Sequence, residues 1–113
     1  MYRKLYQNPQ ANTYNYTGLT AHVSTYHTLI IVTSGWNKGR PTGLAICDSA
    51  SNPDSYISRV EFNNSIDYSS HLSAFAFLTE PLDIFVFDRR ATVPTDINYF
   101  YLHIWRIPHV RAM

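Results

Sequence analysis

Short runs of β-branched and aromatic residues, broken by Gly, Pro and Asn/Ser clusters, recur from Leu19 to Ile107. No stretch between them carries a convincing helical period, so the chain has only strands with which to bury its apolar surface. His27 to Thr33 (HTLIIVT) has the β-branched density of a strand buried on both faces. Gly43 to Cys47 and Leu82 to Asp88 (LDIFVFD) read as further strands. In Tyr56 to Phe62, Tyr56, Val60 and Phe62 are expected on one face and Arg59 and Glu61 on the other. His71 to Leu78 is ambiguous, since Leu72, Phe75 and Leu78 also fit a helical face; its shortness and Pro81 favour a strand.

The clearest alternation is Asn98 to Ile107 (NYFYLHIWRI), which Pro108 ends because it cannot donate to a ladder. Phe100, Leu102 and Ile104 form one face, and Tyr99, Tyr101, His103, Trp105 and Ile107 the other. The expected fold is a single all-β domain, an antiparallel β-sandwich of jelly-roll type, with a small β-barrel as the alternative. Residues 1–18, rich in Tyr, Asn, Gln and Thr and without a period, read as an N-terminal arm on a sandwich domain spanning 19–113.

A length of 113 residues fits one domain. Such a chain buries roughly two-thirds of its unfolded surface, enough for a core without staples. Charged residues are 15% of the chain, against about 25% in an ordinary soluble domain. The surface must therefore be Ser, Thr, Asn and Tyr, which suits packing against neighbours or neutral ligands such as glycans. A net charge of +1 argues against a dedicated nucleic-acid binder and supplies no polybasic patch for a membrane. The basic start Met1 to Leu5 lacks the apolar core of a signal peptide, and no run approaches the ~18 apolar residues of a membrane span. A soluble protein made in the cytoplasm is expected.

The residues offer little to chemistry. Cys47 is the only cysteine and follows the apolar Leu44, Ala45 and Ile46, where a cysteine is ordinarily a small core residue. No serine lies in a nucleophile elbow. His22 and His27, and His103 and His109, lack the spacing of zinc ligands, and Asp83 and Asp88 point to opposite faces of an extended strand. Asp88, Arg89 and Arg90 read as a solvated turn cluster, with Arg89 to Asp96 as a connection. Gly35, Gly39 and Gly43 recur without the Gly-Lys-Ser/Thr of a phosphate loop. No catalytic residue, metal or cofactor is assigned, and the chain is expected to bind or assemble.

Two features speak for binding. The loop Ser34 to Thr42 carries Trp36, Asn37, Lys38 and Arg40, a flat apolar ring with amide and cationic neighbours, suited to a glycan or protein ligand. A Trp36 folded back over the core is the alternative. On the closing strand, the face bearing Tyr99, Tyr101, His103 and Trp105 has the composition of an interface core and is expected to meet the arm or another subunit.

The stretch Thr28 to Asp48 (TLIIVTSGWNKGRPTGLAICD), with the aromatic strand Tyr99 to Ile107 and the low charge, resembles the compact β domains at bacteriophage tail-fibre tips and related virion proteins. The resemblance implies a virion location, self-association (commonly as a trimer) and attachment to host surface glycans or proteins, or to other virion proteins. It carries no diagnostic motif, and no binding residue is transferred from it. A stand-alone carbohydrate-binding domain and a small enzyme with a site around His103 or Cys47 remain as alternatives.

Overall fold

A computed structural model describes residues 2–5, 13–23, 27–34, 41–61, 72–90 and 97–106. Its strands are β1 (Tyr2–Leu5), β2 (Tyr14–Val23), β3 (Thr28–Ser34), β4 (Pro41–Cys47), β5 (Tyr56–Glu61), β6 (Leu72–Leu78), β7 (Leu82–Arg90) and β8 (Ile97–Arg106). They form two antiparallel sheets, β1-β8-β3-β6 and β2-β7-β4-β5. Each strand pairs with its mirror from the other end of the series: β1 with β8, β2 with β7, β3 with β6 and β4 with β5. The chain is thus one long hairpin, with its tip at β4–β5, rolled so that successive pairs fall in alternate sheets. The roll is completed by β8 on β3 and β7 on β4. This strand order is that of a jelly-roll sandwich, and neither sheet closes into a barrel. The segment read as an arm contributes β1 and the first five residues of β2.

The period-2 pattern fixes what lies between the sheets. Ile30 and Val32 of β3, Phe100 of β8, Leu44 and Ile46 of β4, and Ile84 and Val86 of β7 are all fully buried there. The outward residues of β3, namely Leu29, Ile31 and Thr33, are only half-buried, where burial on both faces was expected. In β6 the small Ala74 and Ala76 point inward beside Leu72 and Leu78, while Phe75 and Phe77 point out. Beta6 packs closely against β4 and β5 of the other sheet, and small residues, Ala74 and Ala76, fill the middle of its inner row.

Three register shifts interrupt the ladders among the described residues, in β2, in β5 and between Pro41 and Gly43 of β4. Between Tyr16 and Thr20 the register of β2 on β7 shifts, and Gly18 takes a φ of 84° that a side chain would oppose. The Thr17 hydroxyl donates to the Val86 carbonyl at 2.7 Å and accepts from the Leu19 amide at 3.1 Å, standing in for the ladder bonds lost there. In β5, Tyr56 lies opposite Cys47 and Ser58 opposite Ile46, a bulge that puts Tyr56 on the face of Arg59 and not on that of Val60. Strict alternation from Tyr56 fails for that reason.

The charged cluster is also corrected. Asp88 and Arg90 are not a solvated turn: β7 runs through them and both point between the sheets, almost wholly buried. Arg90 Nε donates to Asp88 Oδ2 at 2.7 Å, so each charge is taken out of water in the company of its opposite.

Candidate functional site

The two outer faces of the sandwich differ. On the β2-β7-β4-β5 sheet the outward residues cover one another. Ala45, Cys47 and Phe87 are buried beneath Tyr14, Tyr16 and Phe85. The Tyr16 ring packs against Phe87 at 5.4 Å and meets Phe85 edge-on at 6.0 Å. Tyr14 reaches from β2 across β7 and over Gly43, where even a Cβ would come within 2.5 Å of its hydroxyl oxygen, and donates to Glu61 Oε2 at 3.2 Å. The other carboxylate oxygen accepts from Arg89 Nη1 at 2.9 Å. Arg59 Nε lies 3.6 Å from Glu61 Oε2, and its guanidinium sits 4.3 Å from the Tyr56 ring centre. Burial, and then the Glu61 carboxylate, hold the Tyr14 phenol well above its ordinary pKa. Burial likewise pushes the Cys47 thiol up to about 11, helped by the nearby Asp48 carboxylate, so Cys47 is a protonated thiol at neutral pH.

The β1-β8-β3-β6 sheet lacks such a cover among the described residues. Its register aligns Trp105, Leu29 and Phe77 in one row, His103, Ile31 and Phe75 in the next, and Tyr101, Thr33 and Ser73 in a third. Directly opposite residues share a face, so two adjacent rows across three strands are apolar or aromatic. Phe75 is 68% exposed, Phe77 53%, Trp105 46% and Tyr101 38%. His103 stacks on Trp105 at 5.5 Å, with the rings 8° from parallel, and His27 stacks on Phe77 at 5.9 Å. A contiguous patch of this kind is what an interaction surface offers.

Of the residues singled out from the sequence, Tyr101, His103 and Trp105 come together on this face. Tyr99 lies on β8 opposite Arg3 of β1, but its side chain lies outside the described residues, as do Trp36, Asn37, Lys38 and Arg40. Phe75 and Phe77 were missed as surface residues. Their signal was present in LSAFAFL, a strand alternating large and small residues in which either row could face the core. His22, exposed near the end of β2, pairs with Asp83 near the start of β7 at 2.5 Å between Nδ1 and Oδ1. Among the described residues no group of three or more His, Cys, Asp or Glu could hold a metal ion, and no helix is long and apolar enough to cross a membrane.

Comparison of the chain with protein-family models, with curated proteins and with solved structures finds no match.

Proposed function

We propose that this chain is a non-catalytic assembly and adhesion module of a virion, which self-associates or docks on other virion proteins through the outer face of its β1-β8-β3-β6 sheet. The observation that carries the reading is the grid of exposed Phe75, Phe77, His103 and Trp105 with the half-buried Leu29 and Ile31 between them. A soluble sandwich ordinarily keeps one face of each sheet wet and polar. Here the sequence places Phe outward and Ala inward on β6, an arrangement that exposes apolar area until something covers it. The jelly-roll order supports the reading from the side of architecture, since capsid and lectin domains share it, as do cupins. Low charge supports it from the side of composition.

The test is the solution mass of the full chain by light scattering, beside the double variant Phe75→Ser/Phe77→Ser. The expected result is an oligomer whose mass falls in the variant while its far-UV circular dichroism is unchanged. A wild-type monomer across the accessible concentration range overturns self-association. A monomer that binds in a glycan screen would move the assignment to a carbohydrate-binding domain.

A further inference from the structure

The bulge in β5 builds a second feature, on the outer face of the β2-β7-β4-β5 sheet. Unbroken alternation would put Tyr56 and Arg59 on opposite faces, and the register shift between Ile46 and Cys47 turns Tyr56 to the side of Arg59. Bulges re-aim side chains in this way, and they are over-represented next to active sites. Here a ring is brought to a cation. The Arg59 guanidinium stands over the Tyr56 ring, 4.3 Å from its centre, and lies 5.8 Å from that of Tyr14. Rings from two strands hold it in place. The neighbouring carboxylate does not satisfy it. Glu61 Oε1 accepts from Arg89 Nη1 at 2.9 Å, and Oε2 from the Tyr14 hydroxyl at 3.2 Å. Arg59 Nε lies 3.6 Å from Oε2, near enough for attraction and too far for a hydrogen bond. Among the described residues no other group accepts from Arg59, and 32% of its side chain is exposed.

We infer that Arg59, stacked on Tyr56, is the receptor for a carboxylate group of a ligand. A guanidinium presents its N–H donors as a rigid planar fork that matches two carboxylate oxygens bidentately. The rings fix that fork before any ligand arrives, so little side-chain freedom is lost on binding. Charge selects the kind of anion. Arg59 and Arg89 share the single carboxylate of Glu61, which leaves one positive charge over at the cluster. Asp48 and Asp54 of the adjoining turn act on the Cys47 thiol together with Arg59, though neither forms an ion pair with it. Their charge disfavours a dianion such as a phosphate monoester and tolerates a monoanion. Tyr56, 47% exposed, offers the body of the ligand an apolar ring surface beside the fork. This site lies on the opposite sheet from the proposed assembly face, so either reading can fail without the other.

The experiment is an NMR titration of the isotope-labelled full chain with phenylacetate, glucuronate and the neutral phenylacetamide as probes. Phenylacetate should move the Arg59 side-chain Nε–H signal and the backbone amides of Ser58 to Glu61, saturating in the millimolar range. Binding of glucuronate in its place supports the receptor and assigns an acidic sugar as the source of the carboxylate. Phenylacetamide, which lacks the charge, should move neither set of signals. Arg59→Lys keeps the charge and loses the fork, and should weaken phenylacetate binding by about tenfold, the effect of one charge-assisted hydrogen bond. Tyr56→Leu keeps the arginine and loses the ring, and should weaken it by about threefold. Phe75→Ser/Phe77→Ser should leave the affinity unchanged, and circular dichroism of each variant checks the fold. Equal binding of phenylacetamide, an affinity undiminished in Arg59→Lys, or no movement at Arg59 with either carboxylate would each overturn the receptor.

Discussion

The outer faces of the two sheets carry similar materials to opposite ends. Both present aromatic rings on a regular ladder. On the β2-β7-β4-β5 side, Tyr14, Tyr16 and Arg59 lie down across their neighbours, and a glycine at position 43 makes the room. On the β1-β8-β3-β6 side, Phe75, Phe77 and Trp105 stand out to solvent. The difference is one of polar reach. A Tyr hydroxyl at the end of a long side chain can cross two strands to find Glu61, and an Arg can cover a ring while keeping its charge wet. Phe has no polar end to anchor such a posture, so Phe75 and Phe77 leave their rings in water.

Single substitutions should sharpen that contrast. The largest effect is expected from a matched pair of truncations. Phe87→Ala, on the closed side, removes a buried ring and should cost about 3–5 kcal/mol in chemical denaturation. Phe77→Ala, on the open side, should change the stability of the dilute protein by no more than about 0.5 kcal/mol. Equal losses at both positions would mean that the open face is covered from within the chain. Next in size, Gly43→Val should displace the Tyr14 ring and its bond to Glu61, lowering stability by roughly 1–3 kcal/mol. The further substitution Tyr14→Ala should remove most of that clash. If Gly43→Val is neutral, the tyrosine bridge contributes nothing.

The smallest effect is a matter of pH. The Cys47 pKa rises from an ordinary 9.0 to about 11 on folding, so above pH 9 the unfolded chain releases this proton more readily than the folded one. Stability should be level in this respect below pH 9 and decline as pH climbs from 9 towards 11. Cys47→Ala should make that decline shallower, and an unchanged slope would remove Cys47 from the account. The raised Tyr14 phenol acts in the same direction from its ordinary pKa of 10.0 upward, so its contribution overlaps that of Cys47.

Much of this fold was legible in the sequence, and the reasons for the rest are particular. Strand positions followed from β-branched density and breakers, and the two faces of β8 from its unbroken alternation, because Phe100 and Tyr101 onward keep strict period 2. Tyr56 escaped because a bulge costs one residue of register and leaves no mark in composition. Asp88 and Arg90 were taken for a turn because charge was read as exposure. The alternation Ile84, Val86, Asp88, Arg90 in fact continues inward, and two opposite charges two residues apart can satisfy each other there. Phe75 and Phe77 escaped because the choice of which row faces the core depends on how near β4 and β5 come to β6, a distance between strands far apart in the chain. Strand order itself is a long-range property that no local pattern encodes.

The rolled hairpin also sets an order of events in folding. Among the described pairs only β4 and β5, at its tip, are consecutive in sequence, and the Asp48–Ser55 turn that joins them is closed by backbone bonds between Asp48 and Ser55 and between Ser55 and Asn52. Every further pair encloses all the pairs before it, so each closure waits on a longer loop, and the pairing of Tyr2–Leu5 with Ile97–Phe100 comes last. Chains dominated by such non-local pairings fold on the order of milliseconds to seconds. During synthesis β3 has no β8 beside it until Ile97–Arg106 has itself been made, so a nascent chain passes through a stage with β3 open along one side. A cell that makes many copies at once would meet strand exchange between neighbours at that stage, before any finished molecule exists.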